Sequence, residues 1–438
     1  MSTKTRICIV TPGALGSNPR VVKEAGALSE AGFEVTVIST RTLAHVDRRD
    51  DSVLETAPWQ VVRLDFRKRD WDWRRRRAVQ TARASAFRLT GRSGFAELGF
   101  SAFSGPLIRA ASDVPAALYI AHYPAALPAA TLSARRHGAA FAYDAEDFHP
   151  GDWPEDRTYD PMRDLVRAIE GRYLPGCAYV TAASPGIADA YVAEYGISRP
   201  TVVLNVFPRA EAPPGPTPSG TAVPGPSLYW FSQTVGPDRG LECAVRAIGR
   251  ARARPHLYLR GSPAAGFIDC LRRLAVEAGA ADRLHILPPA PPPEMARLAG
   301  AYDIGLSSET GCTPSRNVSL TNKVFTYLLA GIPAVLSDIP AHRAFAPEAG
   351  EAARLYATED ADSLAAALDA LLGDRHALAA ARAGAFRLGQ TRFNWDAEKA
   401  KFLGKIGAVL AGDSNRAREL PHEIGDHTAN TRSAAHAS

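Results

Sequence analysis

The stretch Asn317-Val318-Ser319-Leu320-Thr321-Asn322-Lys323-Val324-Phe325-Thr326-Tyr327-Leu328-Leu329-Ala330-Gly331-Ile332-Pro333-Ala334-Val335 reads as a polar helix start, an apolar helix, a stop and a buried strand. Ser319 or Thr321 can cap the helix, so the first-turn amides near Thr321 to Lys323 face outward. Lys323 adds a point charge and Thr326 a hydroxyl one turn later. Ala330-Gly331-Ile332-Pro333 ends the helix on small residues and a proline. A donor-rich helix start at the carboxyl edge of a parallel sheet is where phosphates bind in open α/β folds.

The rest of the chain supplies that sheet, because short β-branched runs alternate with helical patterns. Strands are expected at Ile7–Val10, Val35–Ile38, Val61–Leu64, Leu118–Ala121, Ala140–Tyr143, Tyr179–Ala182 and Val202–Leu204. A Pro/Gly-rich segment, Pro208 to Gly220, then interrupts the pattern and reads as an interdomain linker. A second series follows at Leu228–Phe231, Leu257–Leu259, Leu284–Leu287, Ile304–Leu306 and Ala334–Leu336. Such alternation implies parallel pairing with right-handed crossovers. The expected architecture is α/β, with two Rossmann-like domains whose doubly wound parallel sheets face across a cleft. The expected boundaries are 1–208, a linker at 209–226, 227–390, a helix at 391–412 crossing back to the first domain, and a disordered tail at 413–438.

Composition agrees with two domains: 438 residues, 46% of them hydrophobic, exceed one ordinary domain. The net charge of +5 is too weak to argue for a nucleic-acid protein. Five scattered cysteines without a CxxC pair predict free thiols, not a metal site or disulfide framework. Met1 to Arg6 leads into the apolar run Ile7-Cys8-Ile9-Val10, too short for a signal-peptide core. A cytoplasmic protein, peripheral on a membrane if attached at all, is expected. Arg67-Lys68-Arg69-Asp70-Trp71-Asp72-Trp73-Arg74-Arg75-Arg76-Arg77 mixes a basic run with two tryptophans. It reads either as a solvated helix face or as a contact with an anionic membrane surface.

Two further loops could carry chemistry. Thr11-Pro12-Gly13-Ala14-Leu15-Gly16-Ser17-Asn18-Pro19-Arg20 joins a strand to a helix, and its glycines would let backbone approach a ligand, although GxGxxG spacing is lacking. Gln233-Thr234-Val235-Gly236-Pro237-Asp238-Arg239-Gly240 opens the second domain's first helix, where Arg239 could grip a diphosphate or simply be solvated.

The ordered set of motifs resembles the GT-B-fold glycosyltransferases of family 4, retaining enzymes that use nucleotide-sugar donors. The resemblance spans about residues 6–410. It rests on Asn18-Pro19-Arg20-Val21-Val22-Lys23-Glu24-Ala25, Gly32-Phe33-Glu34-Val35, Ala121-His122, Tyr143-Asp144-Ala145-Glu146-Asp147, Ile169-Glu170-Gly171-Arg172, Ser184, Asn205, Arg239-Gly240-Leu241, Pro293-Glu294-Met295, the Thr321 to Pro333 segment and Trp395. It implies catalytic roles for His122, Arg239 and Lys323. It implies donor contacts from Gly13, Gly16, Gln233, Arg239, Leu320, Thr321, Asn322, Lys323 and Thr326, and acceptor contacts from Asn18, Asp144 and Glu146. A UDP- or GDP-sugar would be co-substrate, a glycan or lipid-linked molecule the acceptor, with no metal or other cofactor required.

The chain departs from the family pattern twice. Gln233 stands where an arginine is usual, and the Glu-x7-Glu positions hold Val318 and Thr326. Glu309 is the carboxylate placed to substitute. The missing pair also leaves open a second class, a catalytically inactive GT-B-like binding or scaffold protein of a polysaccharide cluster.

Overall fold

The computed structural model describes residues 4–42, 44–68, 70–154, 160–216 and 223–412, without the side chains of residues 44–48. The tail expected from 413 onward, Arg69 and part of the linker lie outside these residues. Among the described residues, thirteen parallel strands form two sheets, both of them doubly wound.

The first sheet contains β1 (Arg6–Val10), β2 (Glu34–Arg41), β3 (Gln60–Asp65), β4 (Leu118–His122), β5 (Ala140–Ala145), β6 (Val180–Ala182) and β7 (Thr201–Val202). Their order is β3-β2-β1-β4-β5-β6-β7. The second contains β8 (Ser227–Val235), β9 (His256–Pro263), β10 (Leu284–Leu287), β11 (Ile304–Ser307), β12 (Ala334–Ser337) and β13 (Ala353–Tyr356), ordered β10-β9-β8-β11-β12-β13. The expected fold class is thus present.

Strand order reverses beside β1 and beside β8, and ligands bind outside the carboxyl ends at such switch points. Here the two switch points face each other: Gln233 Nε2, near the end of β8, donates to the Ser17 carbonyl just after β1 at 3.2 Å. Central strands are buried on both faces, as in Cys8-Ile9-Val10 and Tyr119-Ile120-Ala121, the expected state of a parallel sheet covered by helices.

Three local differences from the sequence reading have physical causes. β7 ends two residues early, because Leu204 leaves the sheet and gives its amide to the Glu398 carboxylate at 3.0 Å. β8 runs on to Val235 through a register shift between Phe231 and Thr234, so Gln233 sits in a strand and not in a loop. β13 was not expected, since Ala-Arg-Leu-Tyr at a sheet edge carries too weak an apolar pattern.

Helix Trp395–Gly412 returns to the first half, where the Trp395 amide donates to the Phe207 carbonyl at 2.9 Å. The basic segment opens helix Trp71–Thr90, none of whose residues is buried. Asp70 caps it through the Trp73 amide, and Trp73 packs on Phe66 and Phe103, while Trp71 is 77% exposed. Among the described residues, no helix is long and apolar enough to cross a membrane.

Candidate functional site

The facing carboxyl edges enclose a cleft of about 440 Å3. Its floor on the second-domain side is the start of helix Asn322–Ala330, which exposes Thr321, Asn322 and Lys323 to the cleft. Thr321 is the N-cap residue in extended backbone, but its hydroxyl makes no capping bond and has no hydrogen-bond partner. The helix start therefore presents its positive dipole end to the cleft without a side-chain cap. At the other end Gly331, at φ +72°, supplies the left-handed turn that the sequence announced.

Arg239 reaches the same space from the loop after β8. Gly240, at φ +66°, lets that loop press on Ser308, whose carbonyl lies 2.6 Å from where a Cβ would stand. The Ser308 hydroxyl donates to the Arg239 carbonyl at 2.6 Å. Burial, and then the neighbouring Arg316 charge, lower the Arg239 pKa. Both effects favour an arriving anion.

Two cations unmarked by any motif also line the cleft, one from each half. Arg260, on β9, is held by Tyr229 Oη and the Pro288 carbonyl, each accepting at 2.9 Å. Arg49 reaches the cleft from helix Ala44–Leu54, which approaches closely because residue 16 is glycine: an added Cβ would lie 2.4 Å from Arg49 Cβ. A charged residue ending an otherwise apolar strand was the available signal for Arg260. Arg49 had none, since its place depends on how a helix packs.

The opposite wall is acidic. Glu146 accepts from Asn205 Nδ2 at 3.1 Å and from Tyr123 Oη at 3.2 Å. Asp147 stands beside it, partly covered; desolvation, then the Glu146 charge, raise its pKa to about 6. The cleft thus sets arginines, a lysine and a helix start against two carboxylates and Asn205.

Of the residues singled out in the sequence, Gly16, Gln233, Arg239, Leu320, Thr321, Asn322, Lys323 and Glu146 line this cleft. Six other implied residues do not line it. His122 is fully enclosed behind the first-domain edge, with Nε2 3.0 Å from Glu24 Oε2. Asp144 is gripped by both Arg20 Nε and Nη2 at 2.8 and 2.7 Å and by the Thr181 hydroxyl at 2.7 Å. Asn18 is a buried helix cap accepting from the Val21 amide. Gly13 forms a turn whose amide donates to Thr11 Oγ1 at 3.1 Å.

Glu309 points at protein cations: its oxygens lie 3.0 Å from Lys323 Nζ and 3.1 Å from Arg316 Nη1. Burial opposes its ionisation, but Lys323 outweighs that and holds its pKa down at about 2. Thr326 is buried and donates back to the Asn322 carbonyl at 2.8 Å. The common reason is that buried charges and hydroxyls must find partners nearby. Arg20, Glu24, His122 and Asp144 do so among themselves, burial of the imidazole being outweighed by the Glu24 charge, which raises its pKa.

Two doubly wound sheets meeting at a cationic cleft define the chain as a GT-B-fold protein. Residues 16–206 match the family described as glycosyl transferase 4-like domain. The family match thus covers the first half of the chain, and the GT-B fold extends across both halves. Among solved structures it is similar to HepE from Anabaena in complex with UDP and glucose, with TM-score 0.69 and 14% identity over 92% of this chain and 100% of that one. It is also similar to sucrose-phosphate synthase from Thermosynechococcus elongatus, with TM-score 0.68 and 15% identity over 93% and 100% of the two chains. A glycosyltransferase from Rickettsia africae gives TM-score 0.64 and 13% identity over 94% and 100%. No match was found among curated protein sequences.

Proposed function

We propose that the chain is a glycosyltransferase that moves a sugar from a UDP- or GDP-sugar to a glycan or glycolipid acceptor, retaining the anomeric configuration. The carrying observation is the uncapped start of helix Asn322–Ala330, with Arg239 and Lys323 in one cleft opposite Glu146 and Asp147. HepE, of the same fold, is a complex with UDP and glucose.

In this reading the amides near Thr321, with Lys323, Arg239 and the added Arg49 and Arg260, neutralise charge developing on the leaving diphosphate. Preplaced donors need no reorganisation during reaction, which is where their advantage over water lies. The diphosphate itself accepts the acceptor's proton during front-face displacement, so no protein base is required. Glu146 and Asn205 orient hydroxyls, and positioning supplies the remaining rate gain. Protein cations do the charge work, so no metal is invoked.

A cytoplasmic, membrane-peripheral enzyme of cell-surface polysaccharide synthesis fits the basic stretch. Residues 65–92 hold ten basic and three acidic residues, a larger excess than the whole chain's +5, and helix Trp71–Thr90 within them has no buried residue. Anionic lipid attracts such a surface.

A thermal-shift panel of nucleotide sugars tests the donor. Selective binding at 100 times Kd should stabilise the fold by about 2.7 kcal/mol, and a flat panel would defeat the reading. The second reading, an inactive GT-B-like binding protein, is favoured by Val318 and by Thr326, whose hydroxyl is spent on its own helix. Donor binding without hydrolysis or transfer to any glycan or glycolipid would select it.

A further inference from the structure

Beside the cationic cleft a second cavity of about 680 Å3 runs between the two halves. The two cavities share Gly16, Pro19, Arg49, Phe207 and the 289–292 loop as a common wall. Each is of a size to hold one ligand, so a donor filling the cationic cleft leaves the second space unclaimed.

The lining of this second space differs in kind. On the first-domain side it is Leu15, Val22 and Val53, the two valines only partly covered. On the other side Pro291, Pro292 and Pro293 form one face. Proline has no backbone N–H and a fixed φ, so this wall is preformed and offers no hydrogen-bond donor. Between the proline and valine faces sugar hydroxyls would lose water without replacement, whereas alkyl or aryl surface would gain by burial.

Six polar side chains also line the space: Arg49, Ser52, Glu55 and Thr56, all exposed, at and just after helix Ala44–Leu54, with Lys23 and Glu211 further in. Lys23 is already engaged by Asn205 Oδ1 at 3.2 Å, by the Val206 carbonyl and by the Phe207 ring at 4.8 Å. Glu211 Oε2 is buried and has no hydrogen-bond partner. A hydroxyl or N–H on an otherwise apolar ligand would satisfy it.

We propose that this compartment holds the apolar aglycone of the acceptor, so that the acceptor is a sugar carried on a hydrophobic group and not a free sugar. The assignment rests on the glycosyltransferase reading above. Arg49, shared by both cavities, marks the junction where the acceptor's sugar would meet the donor.

The test is calorimetric titration of the full chain with n-octyl β-D-glucoside, below its micelle-forming concentration, and with methyl β-D-glucoside, each with and without saturating UDP. The octyl compound should bind at least tenfold more tightly than the methyl compound, and together with UDP. Val22→Gln and Val53→Gln, which leave the charge of the cleft unchanged, should each reduce that preference, with UDP affinity measured alongside as the control for folding. Equal affinity for the two glucosides, or an octyl preference that survives both substitutions, would overturn the proposal. Displacement of the octyl compound by UDP would overturn it too, by giving the compartment to the nucleotide. Absence of UDP binding would instead remove the donor reading beneath it.

Discussion

Glu309 Oε1 stands 3.0 Å from Lys323 Nζ, while Glu309 Oε2 stands 3.1 Å from Arg316 Nη1. One buried carboxylate at the end of β11 therefore holds cations from two successive helices, Pro314–Val318 and Asn322–Ala330. The Lys323 ammonium is fixed at the cleft by a protein carboxylate, so an arriving pyrophosphate meets a lysine already in place.

Removing that carboxylate leaves a buried ammonium uncompensated. Glu309→Gln should lower unfolding stability by about 3–5 kcal/mol, measured by urea denaturation. Lys323→Met should restore much of the loss in the double variant. Full additivity of the two changes would mean that the pair does not act as a unit.

Lys323→Ala combined with Arg239→Ala removes two of the cleft's cations. The nucleotide-sugar Kd should rise at least 100-fold, or about 2.8 kcal/mol on the tenfold-per-1.4 scale, by isothermal titration. Unchanged donor binding would remove both residues from the site. Thr326→Val, by contrast, should leave Kd within about threefold, because its hydroxyl already serves its own helix.

The two halves touch where the Ser184 hydroxyl donates to the Val318 carbonyl at 2.6 Å. A Cβ on Gly186 would come within 2.7 Å of that same oxygen. Gly186→Val should hold the domains apart, lowering donor affinity about tenfold while the melting temperature shifts little. Small-angle scattering should report a larger radius of gyration. An unchanged radius with weakened binding would contradict this account.

His149 Nδ1 lies 3.0 Å from Asp152 Oδ2. Burial opposes protonation of the ring, but the Asp152 hydrogen bond and charge outweigh it and raise the pKa from 6.5 to about 9. A group with a raised folded-state pKa stabilises fully below its unfolded value and loses that contribution as pH climbs through the folded value. Stability should thus fall between about pH 6.5 and pH 9, by on the order of 2 kcal/mol given the partly exposed Asp152. His149→Gln should flatten that part of the profile in urea melts taken across the range. A slope that persists in the variant would assign it to another group.

Much of the fold was legible because it depends on local signals. Ile7 to Val10 is apolar, short and followed by a glycine loop, and it is a central strand on either face. Ala330-Gly331-Ile332-Pro333 stops a helix wherever that helix sits. The cationic start at Thr321 to Lys323 was legible for the same reason, since helix ends and their donors are properties of adjacent residues. The weak β13 and the early end of β7 were not, because an edge position and the Glu398 contact decided them.

The sequence by itself determined the two parallel sheets, the polar helix start and which residue types could neutralise an anion, because strand alternation and capping act within a few residues. Only the tertiary structure decided which of those residues meet. It turned His122 and Asp144 inward to pair with Glu24 and Arg20, gave Glu309 to Lys323, and brought Arg49 and Arg260 to the cleft. The physical reason is that a charge in a low-dielectric interior takes whichever opposite charge the packing puts within reach. That choice depends on elements more than 100 residues apart, as in Arg20 and Asp144, and no local pattern encodes it.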